Sequence, residues 1–235
     1  MPQRPGGELA KRPLHFIWIC DCSGSMDADG KIQQLNTAIK ESIFPMQKSA
    51  ENQPNAQILI RAIKFSDNAE WIIPSETPVE QFKWFDLAAN GVTAMGKALS
   101  MVADVLTIPP MTDRAFPPVL VLLSDGQPTD DFDIGLQKLM GTPWGRKAVR
   151  IAIAIGGDAD LEILQKFIGK SDIKPFRANN AEMLAKQIKF VTTQVTFQVS
   201  NPATSPIKPT PIQENVPVVT VPDEFFNADP DKDVW

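Results

Sequence analysis

The sequence predicts an α/β fold: a doubly wound (Rossmann-like), mostly parallel sheet with one antiparallel edge strand and helices on both faces. Two observations carry this reading. The apolar runs Val119-Leu120-Val121-Leu122-Leu123 and 151–155 lack polar alternation, as strands buried on both faces require. Segments with apolar residues at helical spacing separate most of the strand candidates, which is the order of a parallel sheet with crossover helices.

In chain order, the strand candidates are 14–20, 57–65, 69–73, 118–123, 149–155 and a short one near 173–176. Ser66-Asp67-Asn68 supplies turn residues between the second and third, which predicts an antiparallel hairpin at the sheet edge. Ile32, Leu35, Ile39, Ile43 and Met46 recur at helical spacing, with Asp29 or Gly30 at the start. Ala94, Ala98, Met101, Val102 and Val105 predict a second helix, stopped by Pro109-Pro110. Phe132, Leu136 and Leu139 mark a third, with Asp130 and Asp131 placed to cap it. Leu161, Leu164, Phe167 and Ile168 mark a fourth behind a capping Asp158 or Asp160. Met183, Leu184, Ile188 and Val191 mark the last.

Residues 1–11 are polar and read as a flexible N-terminus, and 12–200 as one domain. After Val199 the composition changes, with Pro202, Pro206, Pro209, Pro211, Pro217, Pro222 and Pro230 in quick succession. Such proline density prevents helix and central strand, so 201–235 is expected to be a disordered or partner-docking tail. That tail is acidic. It holds Lys208 and Lys232 against six carboxylates, whereas the whole chain carries −5, leaving the first 200 residues near neutral. No basic face for nucleic acid follows from this balance.

Hydrophobic content of 43% and charged content of 22% are those of a soluble globular protein. No apolar run reaches membrane-spanning length, and the N-terminus has no secretory h-region. The only cysteines, Cys20 and Cys22, sit one residue apart, a poor spacing for a disulfide. With His15 as the single histidine, they do not complete a zinc site. The expected compartment is the cytoplasm.

The chemistry lies at the ends of strands. Asp21-Cys22-Ser23-Gly24-Ser25 follows the first strand and places a carboxylate and two hydroxyls at alternate positions. In an extended loop alternate side chains point the same way, so three hard oxygens can converge on one small cation. Such oxygens suit Mg²⁺ or Mn²⁺. Ser124-Asp125-Gly126 ends the fourth strand, and Asn90-Gly91-Val92-Thr93 precedes a helix. Parallel sheets bind ligands outside the carboxyl ends of their strands, so Asp125 and Thr93 can meet Asp21, Ser23 and Ser25 there. Asp27 and Asp29 read as helix caps, with a second cation as the alternative.

These phrases resemble the von Willebrand factor A (vWA) family over residues 12 to 197. Its metal-ion-dependent adhesion site has the pattern Asp-x-Ser-x-Ser, then a loop Thr, then a loop Asp. The resemblance gives Asp21, Ser23, Ser25, Thr93 and Asp125 as the metal set, with Mg²⁺ or Mn²⁺ as the ion. It implies a binding module rather than an enzyme. Part of the metal shell is water, and an Asp or Glu from a protein partner completes it. Among bacterial members the chain is most similar to the TerY-type group of tellurium-resistance and stress-response systems. That likeness implies a Ser/Thr kinase and a PP2C-like phosphatase as partners, and a domain that is monomeric alone. The alternatives are a partner of an AAA+ ATPase in a metal-insertion complex, or a Mg²⁺-dependent hydrolase. Phosphatases of the haloacid dehalogenase type need Asp-x-Asp, and here Ser23 stands at the second acid. His15, inside the first strand, reads as a packed core residue.

Overall fold

β1 (Arg12–Asp21) runs through the middle of the sheet and is buried along almost all of its length. It is joined by β2 (Ala56–Phe65), β3 (Ala69–Pro78), β4 (Val119–Ser124), β5 (Val149–Ile155) and β6 (Phe176–Ala178). The strand order is β3-β2-β1-β4-β5-β6, and every pairing is parallel except β2 with β3. This is the doubly wound sheet with one antiparallel edge strand that the apolar runs predict. The computed structural model of the chain describes residues 11–157, 159–201, 217 and 219–226. The expected N-terminal segment therefore lies outside the described residues except for Lys11.

The strands differ from expectation at the two edges. β3 continues to Pro78 and contains Pro74, and its register against β2 shifts around Ala62. An edge strand tolerates proline because one row of its backbone groups has no neighbouring strand to bond. β6 begins at Phe176 rather than near residue 173, so the preceding segment is loop.

The helices are α1 (Lys31–Glu51), α2 (Met95–Val105), α3 (Phe132–Gly141), α4 (Pro143–Lys147), α5 (Leu161–Ile168), α6 (Ala181–Phe190) and α7 (Thr196–Ser200). A π turn, Val191–Val195, joins α6 to α7. The short α4 was not legible as a helix; it is one turn capped by Thr142, whose hydroxyl accepts the Gly145 N–H at 2.9 Å. Asp131 caps α3 by accepting the Ile134 N–H at 3.1 Å. Asp130 does not. Its carboxylate accepts Gly96 N–H and Lys97 N–H, each at 2.8 Å, and so caps α2 from another part of the chain. Asp160 caps α5, while Asp158 lies outside the described residues. Asp27 and Asp29 are exposed and, among the described residues, cap no helix: the cap position of α1 is Gly30, which has no side chain to offer.

The core fills both faces of β1, β4 and β5, with Phe16, Trp18, Ile19, Val121, Leu122 and Ile153 fully buried. His15 is buried among them, and burial lowers its pKa against the pull of Glu76. α1 packs along α6, and α2 along α3. The α2–α3 approach is backbone to backbone: a Cβ on Gly135 would run into the Gly96 carbonyl. No helix of the described residues is long and apolar enough to cross a membrane.

The tail departs most from expectation. Residues 219–226 pack onto the domain instead of standing free for a partner. Phe225 is 2% exposed, and its ring lies 4.9 Å from that of Phe190 and 5.5 Å from that of Phe176. Phe226 meets Phe176 edge-on at 5.9 Å. Lys186 Nζ donates to Glu224 at 2.7 Å, and the Thr220 N–H donates to Gln198 at 2.8 Å. The acidic and aromatic residues of this segment are complementary to α6, β6 and α7 of the same chain. Residues 202–216, 218 and 227–235 lie outside the described residues.

Two stability outcomes follow. Phe225→Ala should destabilise the fold by about 3 kcal/mol, the range for removing a buried phenylalanine, read by urea denaturation. A loss below about 0.5 kcal/mol, the level of an ordinary surface change, would show that the segment does not pack. Gly135→Ala should cost about 1–3 kcal/mol through the forced separation of α2 and α3, measured the same way.

Candidate metal centre

Strand order creates the site. β1 connects to β2 on one side, while β4 lies on the other, so the crevice between the ends of β1 and β4 is a topological switch point. Asp21 is the last residue of β1, and Asp125 follows the last residue of β4. Parallel register from Phe16 opposite Val119 to Cys20 opposite Leu123 brings both to the same edge.

Hydrogen bonds join the three loops. Gly24 N–H donates to the Gly91 carbonyl at 2.9 Å and Asn90 N–H to the Cys22 carbonyl at 2.8 Å, joining the first loop to the second. Thr93 N–H donates to Thr129 Oγ1 at 3.1 Å and Thr129 N–H to the Thr93 carbonyl at 2.9 Å, joining the second to the third. Asp67, in the β2–β3 turn, accepts the Val92 N–H at 3.0 Å. Gly91 has φ +80°, and a Cβ there would strike the Asp67 carboxylate, so only glycine fits. Further back, buried Asn36 on α1 accepts from Trp84 Nε1 at 3.0 Å and Leu87 N–H at 2.9 Å. It thereby anchors the chain leading into the Thr93 loop.

The five residues singled out from sequence come together. Asp21 is fully buried; its Oδ1 accepts the Ser23 N–H at 2.8 Å and its Oδ2 accepts the Ser124 hydroxyl at 2.5 Å. Ser23 Oγ and Ser25 Oγ are 3.0 Å apart, and Ser25 Oγ donates to Asp125 Oδ1 at 2.8 Å. Gly126 locates the convergence. A Cβ on it would lie 3.6 Å from Ser25 Oγ, 3.7 Å from Thr93 Oγ1 and 4.0 Å from Asp21 Oδ2. Three oxygens from three chain segments thus face one small volume that a bare glycine leaves open. Hydroxyl and carboxylate oxygens are the donors that hard divalent cations take. The residues present fit such an ion: Ser23, Ser25 and Thr93 can ligate through hydroxyls, with Asp21 and Asp125 direct or through water. Among the described residues there is no cluster of three or more His, Cys, Asp and Glu; this set has three hydroxyls and only two carboxylates.

The electrostatics agree with a cation. Burial pushes the Asp21 carboxyl above its ordinary range, against hydrogen bonds from Ser124 and Ser23 that favour its charge, and the nearby Asp125 pushes it further up. A carboxylate held at this desolvation cost is stabilised by a bound positive charge. Cys22, on the same loop, is buried and its thiol is pushed up to about 12, so it is no thiolate ligand. Cys20 and Cys22 are both free.

Several contributors were not found from sequence. Ser124 has no place in the Asp-x-Ser-x-Ser pattern, yet it bonds Asp21 directly. Asp67, Asp130 and Thr129 act by bonding loop backbone, a role that leaves no pattern in one sequence. Lys31 lies beside the site: its Nζ donates to Asp125 Oδ2 at 2.8 Å, with both side chains buried.

Comparison with known proteins adds to this geometry. No curated protein matches the chain. Among solved structures, a von Willebrand factor type A protein from Catenulispora acidiphila superposes with TM-score 0.61 at 20% identity, covering 79% of this chain and 43% of that one. The ArnB paralog VWA2 from Sulfolobus acidocaldarius gives 0.56 at 20%, covering 75% and 44%. Proximal thread matrix protein 1 from the mussel byssus, with a zinc-occupied MIDAS motif, gives 0.55 at 18%, covering 79% and 46%. The chain thus spans under half the length of these structures, and at such identity they show a shared fold. The family model for the von Willebrand factor type A domain matches residues 17–190, from inside β1 to the end of α6. By that match, with the sheet order that brings its loops together, the chain belongs to the von Willebrand factor type A domain family.

Proposed function

We propose that this protein is a metal-dependent protein-interaction module. A divalent cation, Mg²⁺ or Mn²⁺, is held by the hydroxyls of Ser23, Ser25 and Thr93, with Asp21 and Asp125 bound directly or through water. The ion keeps an exchangeable position, which an Asp or Glu from a protein partner fills. The observation that carries this reading is the convergence of Ser25, Thr93 and Asp21 oxygens over Gly126. The zinc-occupied site of the byssus protein supports a metal at this place in the fold. The all-oxygen donor set here favours Mg²⁺ or Mn²⁺ over zinc.

The site does not suit hydrolysis. Ser23 stands where a phosphatase of the Asp-x-Asp kind needs its second acid, and it is already engaged with Ser25. His15, the one histidine of the chain, is buried within β1. The reading extends to a cytoplasmic TerY-type adaptor serving a kinase and a PP2C-like phosphatase. It is supported by the wording of the 91–99 and 123–130 loops and by two free cysteines.

Calorimetric titration tests the metal. Wild-type protein should bind Mg²⁺ or Mn²⁺, and Asp21→Asn should abolish the heat while its circular dichroism stays native. Asn keeps an acceptor for Ser23 or Ser124 and removes a buried charge, so folding survives. Equal binding by both proteins would remove Asp21 from the site. Because burial raises the Asp21 pKa, metal affinity should begin to fall on acidification at a pH above the ordinary carboxylate range. A second measurement separates binder from enzyme. Purified protein with Mg²⁺ should show no turnover of phosphate esters or nucleotides, and turnover lost in Asp21→Asn would make it a hydrolase.

A further inference from the structure

One peptide unit joins two of the three metal loops. The Gly91 carbonyl and the Val92 N–H belong to the same planar trans peptide, so they point in opposite directions and turn together. The carbonyl accepts the Gly24 N–H at 2.9 Å, and Gly24 stands between Ser23 and Ser25. The N–H donates to Asp67 Oδ1 at 3.0 Å, and Val92 directly precedes Thr93. The orientation of this plane therefore bears on all three hydroxyl ligands. The chain itself constrains it weakly: residue 91 is a glycine at φ +80°, with many other backbone conformations open to it. The Asp67 carboxylate closes that freedom, seated against Gly91 where a Cβ would have no room. The turn that bears Asp67 is itself docked on the loop. The Ala94 N–H donates to the Ser66 carbonyl at 2.8 Å, and the Ser66 N–H closes the turn on the Asn68 carbonyl at 2.9 Å.

We propose that Asp67 is a positioning residue for the metal site, acting through the Gly91–Val92 peptide. The inference rests on the metal-binding reading above. Asp67 is exposed and stands on the β2–β3 turn, outside the three loops that carry the ligands. Its bond to the Val92 N–H fixes the peptide plane. The plane in turn fixes Gly24 on one side and the approach to Thr93 on the other. Rotation of the plane would break both bonds at once, and Ser23, Ser25 and Thr93 would lose a common support. The edge hairpin and the metal are thereby linked. Whatever draws the Asp67 turn away weakens the site, and a bound metal in return holds the turn in place.

Mn²⁺ alone is the probe, titrated by calorimetry into the full chain, with circular dichroism as the check on folding. Asp67→Ala removes the acceptor, and residue 67 has no left-handed backbone for an alanine to resist. Asp67→Gly is the second variant should the first not fold. Asp67→Asn removes the charge but keeps a carbonyl oxygen for the Val92 N–H. We expect Asp67→Ala to bind Mn²⁺ about fivefold more weakly than wild type, the effect of one hydrogen bond, and Asp67→Asn to bind as wild type does. Water-proton relaxation of the Mn²⁺-saturated proteins gives a signature that a merely structural role would not produce. A hydroxyl drawn off the ion is replaced by water. The relaxation enhancement per bound Mn²⁺ should therefore rise in Asp67→Ala and return to the wild-type value in Asp67→Asn. Unchanged affinity in Asp67→Ala overturns the role of Asp67 and leaves the metal site standing. Equal weakening in the Ala and Asn variants does the same, since Asp67 would then act as a remote charge, and so does weaker affinity with unchanged relaxation. Absence of Mn²⁺ binding in the wild type overturns the metal site itself and this inference with it.

Discussion

The parallel pairing of β1 with β4 determines much of the molecule. It runs from Phe16 opposite Val119 to Cys20 opposite Leu123 and stops where both strands give way to polar loops. Side chains alternate along a strand, so a one-residue slip would turn the Asp21 carboxylate to the opposite face from Asp125 and expose half of a fully buried apolar run. Burial of Phe16, Trp18, Val121 and Leu122 therefore enforces a register that also sets carboxylate geometry. Stability and site placement come from the same pairing, and neither can drift without the other.

Around that pairing, the loops are bound to one another and to the helices beside them. Asp67 from the β2–β3 turn, Asp130 beyond β4 and Asn36 on α1 each bond backbone in a different segment. Each satisfies buried or terminal N–H groups that would otherwise be costly. The outcome is a rigid rim on which short hydroxyl side chains can be trusted to converge. Ser and Thr reach little; they make a cation site only if backbone holds them close.

Much of this was legible in the sequence. The unbroken apolar runs identify β4 and β5, and helical spacing identifies α1, α2, α5 and α6, because burial on one stripe or on both faces writes its period directly into residue type. The order of Asp21, Ser23, Ser25, Thr93 and Asp125 was readable because these polar residues lie in loops at strand ends or before a helix and resemble the vWA pattern. What escaped depends on pairings between distant residues. Asp130 sits beside α3 in sequence and caps α2 in space. Lys31 looks like a surface lysine at a helix start until Asp125 is placed beside it. The tail misled more deeply: proline density marks where the composition changes. It says nothing of whether Val219 and Phe225 find an apolar surface, and that surface belongs to this chain.

The packing of Phe225 bears on the outer edge of the sheet. β6 has only three residues, and its Phe176 would lie with Phe190 at the margin of the fold if nothing covered them. Short edges limit strand-to-strand association, but exposed aromatics beside an open edge invite clustering between molecules. The aromatic segment at 225–226 covers that margin with a cap drawn from the far end of the chain. Its attachment through the acidic Glu224 to Lys186 adds charge at the rim of the cap. The colloidal behaviour of the domain is therefore written as much in these few residues after the last helix as in the rest of its surface.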